Sequence, residues 1–369
     1  MKTRKAVYAA SLDPITNGHV NIIERMAPLY DELVVLVAVD PRKNYTFSQK
    51  DRVEMARNSV THLQNVSVDT CVGQYVVKKA QSLGAQVVIR GLRNFKDLED
   101  EQTLAEENRR ICPEIETVWV PCLPNLMHVS SSMVRSHVGA DPGWEEQAAR
   151  SVPEVVVMKL KEKFVLGKAK RHWGSLMSSF GYLKGSEAVL DILLGRYTET
   201  HRHYHNLEHV VSMLDELGTL NDPDKALSLA IWFHDAVYDP KAKDNEEQSA
   251  KLAKSLLKKL GLSDELGNRV HDLILATKHV HMPSDPVART LVDLDLMILG
   301  KPEKEFDVYE AGIRQEYGWV VYPDFYEGRS KILQSFLDRP SIFSTDQFQA
   351  KYEIVARDNL ERSIIKLRG

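Results

Sequence analysis

Five short apolar runs punctuate the first third of the chain, and their rhythm constrains the fold more than any other feature. AVYAA (6–10), ELVVLVAV (32–39), VSVDTC (66–71), QVVIRG (86–91) and ETVWVPC (116–122) read as strands. Between them HVNIIERMAPLY (19–30), SQKDRVEMARNSVTHL (48–63), YVVKKAQSLG (75–84) and DLEDEQTLAEENRRI (97–111) carry apolar residues at helical spacing. Runs that are apolar almost without interruption belong to strands covered on both faces. The alternation therefore predicts an α/β fold with a doubly wound parallel sheet. From residue 130 the strand rhythm stops. Residues 130–164 turn helical, VLGKAKRHWGS (165–175) reads as a junction, and nearly everything from 175 to 369 has helical patterning. A chain of 369 residues exceeds one ordinary core. The two rhythms predict two domains, α/β over 1–165 and all-α over 172–369.

Charge excludes several classes of partner. The net charge is −4 and no basic stripe is present, so nucleic acid and membrane surfaces are not expected partners. Any anion site has to be a local constellation. Cys71, Cys112 and Cys122 are odd in number, widely spaced and free of any CxxC pattern, which points to a reducing compartment and against a thiolate metal site. The N-terminal apolar run is broken by Asp13 and makes a poor signal peptide, and no uncharged stretch is long enough to span a bilayer. A cytoplasmic protein is expected.

Ligands of open α/β sheets sit beyond the carboxyl ends of the strands. The loop after the first run, SLDPITNGH, falls there. Ser11 offers a hydroxyl, Pro14 restrains the backbone, Gly18 permits close approach, and His19 opens a helix whose first N–H groups favour an anion. PRKN (41–44) adds Arg42 and Lys43, IRGLRNF (89–95) adds Arg90 and Arg93 around Gly91, and HVSSSMVR (128–135) adds Ser130, Ser131 and Ser132 at a helix start. These are four phosphate-compatible loops expected on one sheet edge.

In this order and spacing, DPITNGH, PRK, RGLR followed by Asp97, Glu99 and Glu101, NRRICPEIETVWV and VSSSMVR make residues 4–163 resemble the bacterial pantetheine-phosphate adenylyltransferases, members of the nucleotidyltransferase superfamily with its (T/H)xGH motif. The resemblance implies a Rossmann-like nucleotidyltransferase fold. It also implies transfer of AMP from ATP, with Mg2+, to 4′-phosphopantetheine, giving dephospho-CoA and pyrophosphate. By it, His19 and Lys43 stabilise the transferring phosphate. Ser11, His19, Gly91, Arg93, Glu101 and Ser130–Ser132 hold ATP, and Ser11, Lys43, Val76 and Arg90 touch the acceptor. Two departures, Ala10 where the family has glycine and QYVVKK (74–79) along the pantetheine arm, leave a different acceptor or a nucleotide-sensing role as the alternative.

The helical half carries a second constellation. HRHYHNLEHVVSML places His205 and His209 four residues apart, hence on one helix face if the helix begins near Asn206. AIWFHDAVYDP puts His234 and Asp235 in an apolar run, where such a pair is costly unless bound. LVDLDLMILG adds Asp293 and Asp295. Imidazoles and carboxylates from separate helices suit a divalent cation held inside a bundle. With RYTETHRHYHN, WFHDAVYDP, DNEEQSA, DLDLMILG and YPDFYEGRSKILQSFL, residues from about 172 to 367 resemble predicted metal-dependent phosphohydrolases of the HD superfamily, and YHNLEHV also resembles an element of cyclic-nucleotide phosphodiesterases. The resemblance implies an all-α HD domain in which His209, His234, Asp235 and Asp295, with Asp293 as the alternative, ligate Mn, Fe, Mg, Ni or Zn. His205 would be the general acid. Asp244 and Glu247 are weaker candidates for a metal-bound water or second ion, and His279 and His281 for the mouth. The expected whole is a bifunctional enzyme acting on ATP, a phosphopantetheine-like acceptor and an unidentified phosphate ester or nucleotide. Its oligomeric state is not legible here, and hexamers among relatives of the first domain leave a homo-oligomer open.

Overall fold

The structure is a computed structural model that describes residues 3–141, 143–181, 183–220, 224–279 and 282–368. The chain divides into two compact units after Phe164. In the first, β1 (Lys5–Ala10), β2 (Glu32–Val39), β3 (Val66–Val72), β4 (Val87–Leu92) and β5 (Glu116–Pro121) form one parallel sheet in the order β3-β2-β1-β4-β5. Helices α1 (Asn17–Met26), α2 (Gln49–Ser59), α3 (Val76–Ser82), α4 (Phe95–Ile111), α5 (Ser131–His137) and α6 (Trp144–Ala149) accompany it. The apolar runs have their explanation in β1. Ala6 and Tyr8 enter a core with Ile22, Ile23 and Met55, whereas Val7 and Ala9 enter another with Val77, Ala80 and Ile115. Alternate residues thus face opposite layers, and neither face can be polar. Strand order reverses between β1 and β4, which opens a crevice at their carboxyl ends.

The expected junction at 165–175 is helical. It lies inside α7 (Glu154–Ser179), a single helix whose Val156 and Leu160 join the core of the first unit and whose Ala169, Trp173 and Met177 join that of the second. Gly167 and Gly174 suggest a break in the sequence, but Trp173 packs edge-on to Trp232 at 5.2 Å and donates its indole N–H to Ser186 O at 3.0 Å. Burial of that large ring outweighs the roughly 1 kcal/mol cost of each helical glycine.

The second unit continues with α8 (Ser186–Tyr197), α9 (Leu207–Leu217), α10 (Lys225–Phe233), α11 (Asn245–Lys259), α12 (Asp264–Ala276), α13 (Pro286–Leu296), α14 (Glu303–Glu316), α15 (Tyr322–Leu337) and α16 (Asp346–Arg368). Helix α10 is its axis. Leu229, Ala230, Ile231, Trp232 and Phe233 are all buried, and a helix apolar all round belongs at a centre. Among the described residues this unit holds no strand, and no helix of the chain is long and apolar enough to cross a membrane. Trp173→Ala should cost about 3–5 kcal/mol in denaturant unfolding of the second unit. A neutral result would return that segment to a linker.

Candidate functional site

The crevice of the first unit is a cleft of about 680 Å³. Ser11, His19, Lys43, Arg90, Gly91, Arg93, Glu101, Ser130, Ser131 and Ser132 all line it, so the four loops meet at one edge. Thr16 caps α1, and its spacing to His19 is that of a capping box with histidine in the place of glutamate. The Thr16 N–H donates to His19 Nδ1 at 3.0 Å. That nitrogen is therefore an acceptor, and the neutral ring carries its proton on Nε2. Burial, then the nearby Arg93 and Arg90, pull the His19 pKa down to about 4. The cleft thus presents a neutral N–H donor among fixed guanidinium charges.

One carboxylate welds the loops together. Asp13 is buried and accepts the N–H groups of Thr46 and Phe47, both at 2.9 Å. Arg135 binds Asp13 O, and Ser131 Oγ donates to Pro14 O at 2.7 Å, which joins α5 to the same loop. Buried Arg52 donates to Ser11 O at 2.6 Å and Ala38 O at 3.2 Å. Leu12, buried between these anchors, takes a φ of +49°, a region costly for a residue with a Cβ. A Cβ at Gly91 would meet Ile22 Cδ1, so the Ile22 side chain of α1 packs directly against β4 there. Arg90 grips Glu101 at 2.7 and 2.5 Å, and Arg93 grips Asp97 at 2.9 and 3.1 Å.

Not every expected position lines this cleft. Val76, at the start of α3, is not among the residues lining the cleft, and neither is the rest of 74–79. Lys79 pairs with Asp69 at 2.7 Å. Arg42 turns to Asp40 at 3.0 Å and leaves the rim to Lys43. Glycine-free, amphipathic spacing in YVVKKAQS buries Val77 and Ala80 against the sheet, which fixes α3 as a packing helix.

In the second unit, ligand atoms converge from the ends of three helices. His209 Nε2 lies 3.2 Å from His234 Nε2 and 3.1 Å from Asp295 Oδ1, and His234 Nε2 lies 3.1 Å from Asp235 Oδ2. His209, His234 and Asp235 can bring their ligand atoms within 4.8 Å of one another. His234 Nδ1 faces Ile231 O at 2.9 Å. Donation to that carbonyl reserves Nε2 as a lone pair for the cluster, the arrangement of a metal-ligating imidazole. Asp293 is elsewhere. Its oxygens accept the N–H groups of Ser344 and Thr345 at 2.7 and 2.8 Å and the Thr345 hydroxyl at 2.7 Å.

His205 is not on the helix of His209. Asn206 caps α9, so His205 lies in the preceding loop. Its Nδ1 is 2.6 Å from Glu316 Oε2, and its ring stacks on Tyr238 at 4.3 Å. Burial works against its charge, but the Glu316 hydrogen bond and the charges of Asp235, Glu316 and Asp295 win and raise its pKa. Glu316 is pushed down to about 2 in spite of burial, by His205 and by the N–H groups of Tyr204 and His205. Sequence reasoning missed Glu316. It is the last residue of an ordinary amphipathic helix, and only its burial marks it. His279 Nε2 reaches Asp295 Oδ2 at 3.0 Å, whereas His281 lies outside the described residues. Glu247 is paired with Lys278, and Asp244 accepts from Gln248 at 2.7 Å.

The family model for cytidylyltransferase-like proteins matches residues 7–137. The phosphopantetheine adenylyltransferase of Bdellovibrio bacteriovorus is 42% identical over 163 residues, 43% of this chain and 96% of that protein. The phosphopantetheine adenylyltransferase of Chromobacterium violaceum is 38% identical over 157 residues, 42% of this chain and 95% of its own. Among solved structures, Plasmodium falciparum nicotinic acid mononucleotide adenylyltransferase is 15% identical over 44% of this chain and 96% of that one, with a TM-score of 0.33.

The His19 environment makes a pH prediction. The unfolded imidazole takes its proton near 6.5 and the folded one only near 4, so this stabilisation is full above the first value and is lost as pH falls through the second. Glutamine can accept the Thr16 N–H in the same capping box. Between about pH 7 and pH 5, the urea midpoint of the first unit should therefore fall further in the wild type than in His19→Gln. Equal declines would refute the buried neutral imidazole.

Proposed function

Through its N-terminal unit the chain belongs to the phosphopantetheine adenylyltransferase family, and on that premise we propose that this unit transfers AMP from ATP to 4′-phosphopantetheine. A phosphate oxygen of the acceptor attacks the α-phosphorus of ATP. The new P–O–P bond forms as the bond to the β-phosphate oxygen breaks, giving dephospho-CoA and pyrophosphate. No covalent enzyme intermediate is needed, and positioning plus charge stabilisation supply the rate. His19 donates from Nε2 to the α-phosphate as charge builds there, with Lys43 beside it. Arg93, Gly91 and Ser130–Ser132 hold the triphosphate, with Glu101 close by. Ser11, Lys43 and Arg90 meet the acceptor phosphate. Mg2+ accompanies ATP and offsets the charge of the leaving pyrophosphate. The observation that carries this reading is the Thr16 N–H bond to His19 Nδ1, which commits the proton to Nε2 in a cleft lined by Arg90, Arg93, Arg135 and Lys43. Ala10 lines that cleft, where it adds one methyl group to the family's glycine.

For the second unit we infer a metal-dependent phosphohydrolase of the HD type. The donor set supports it: two imidazole nitrogens 3.2 Å apart, flanked by the Asp235 and Asp295 carboxylates, are ligand types suited to a divalent cation. Cation–ligand bonds of about 2.1 Å place neighbouring donors at about this spacing. His209, His234, Asp235 and Asp295 would hold the ion, and Mn, Fe, Mg, Ni and Zn all suit such donors. When bound, it lowers the pKa of water enough to make a nucleophile near neutrality. His205, kept charged by Glu316, donates its Nε2 proton to the leaving oxygen of a phosphate ester or nucleotide.

Pyrophosphate release from ATP with Mg2+ and 4′-phosphopantetheine tests the first reading. His19→Ala should lower kcat by about 10²–10³-fold with ATP still bound. Release without the acceptor, or unchanged by the substitution, would overturn it. For the second, Asp295→Asn should lose Mn2+ on dialysis while Asp293→Asn retains it and unfolds earlier, by about 1–3 kcal/mol. The reverse pattern would exchange their roles.

A further inference from the structure

Neither reaction uses Arg202, although its side chain is wholly buried (0% exposed). Its Nε donates to Glu199 Oε2 at 2.9 Å. Nη1 donates at 2.8 Å to the carbonyl of His205 and, also at 2.8 Å, to the carbonyl of Asp235. Nη2 reaches the carbonyl of Ala236 at 3.4 Å. The rings of Tyr197 and Tyr238 flank the guanidinium at 5.3 and 5.4 Å.

The two segments it joins have no ladder of their own to hold them. His234 closes α10 with its N–H on Ala230 O at 2.8 Å, and beyond it only the Ala236 N–H turns back, to Phe233 O at 3.1 Å, so Asp235 has already left the helix. His205 lies before the cap of α9. Glu316 Oε1 accepts the N–H groups of His203, Tyr204 and His205 at 2.7–3.0 Å, and Asn206 binds the carbonyls of His203 and Tyr204, which leaves the His205 carbonyl to Arg202. We propose that Arg202 is a positioning residue for the metal centre: it staples the loop bearing the proton donor to the turn bearing a cation ligand. The proposal rests on the metal reading of the second unit.

The physical case is the fork. One planar guanidinium places several N–H donors at fixed angles, so a single group sets the distance between two carbonyls far apart in sequence. A lysine ammonium in the same pocket satisfies the charge of Glu199 but has no rigid geometry to pass on. Groups that orient metal ligands from behind typically alter affinity by about 10–100-fold when removed.

The test uses the full chain, stripped of metal, with Mn2+ alone as the probe in calorimetric titration. Arg202→Lys is compared with Arg357→Lys. Arg357 makes the same pattern away from the cluster, with Nε on Glu353 at 2.9 Å and its fork on the carbonyls of Leu337, Arg339 and Pro340 at 3.0–3.2 Å. Both variants should lower the unfolding midpoint of the metal-free protein. Only Arg202→Lys should raise the Mn2+ Kd, by about tenfold or more, with Arg357→Lys within about twofold of wild type. Equal Kd values for the two variants would overturn the positioning role. If Arg202→Lys does not fold, Glu199→Gln, which loosens Arg202 without removing it, decides. A Kd raised about threefold supports the proposal and an unchanged Kd overturns it. If the wild type takes up none of Mn2+, Ni2+ or Zn2+, the metal reading falls and the positioning role falls with it.

Discussion

Both oxygens of the Asp13 carboxylate are committed to main-chain N–H groups, and the cleft of the first unit depends on that commitment. The loop after β1 carries Ser11 and leads into His19 in the first turn of α1, and the loop after β2 carries Lys43. The bonds from Thr46 and Phe47 to Asp13 hold the two at a fixed distance. A buried carboxylate suits this task because it accepts several charge-assisted bonds and has no donor to satisfy. Its desolvation is offset only while every partner stays in place. Arg135 and Arg52 then secure the carbonyls of the same loop, so donors and acceptors of one irregular segment are matched from different sides.

The second unit repeats the device with other residues. Glu316 gathers three consecutive N–H groups around His205, Asp293 caps the segment leading into α16, and Glu353 accepts the N–H groups of Ile342 and Phe343. In each case a helix supplies the carboxylate and an irregular segment supplies the N–H groups. Helices are rigid and the loops carry the chemistry, so a single acidic side chain converts helix position into loop position.

The pKa of the same residue type is pushed in opposite directions in the two sites. His19 sits near Arg90 and Arg93, which with burial keep its ring neutral, and a neutral ring can accept from Thr16 while donating to a phosphate. His205 sits against Glu316, with Asp235 and Asp295 near, and these charges overcome burial and raise its pKa. The chemistry of each histidine is thus decided by the charges around it.

Much of this was legible beforehand. Alternating apolar runs and helical spacing specify a parallel sheet because each strand must bury both faces, and Thr-Asn-Gly-His announces a helix start because a cap and its third residue are neighbours in sequence. His209, His234 and Asp235 stood out because charged or titratable groups in apolar helices are costly when left alone. The helical junction at 165–175 was hidden, since the burial of Trp173 against Trp232 that outweighs two glycines is a long-range contact. Asp295 was the favoured ligand with Asp293 as the alternative, and what separates them is that Asp293 binds the segment leading into α16. Val76 looked like a wall of the cleft only until α3 packed its apolar side onto the sheet. Glu316 and Arg202 had no signal at all. Local pattern determined the elements and the chemical types available, because helix and strand periodicity act over a few residues. Tertiary structure decided which of those side chains meet, because hydrogen bonds and burial between distant segments exist only once the chain has closed on itself.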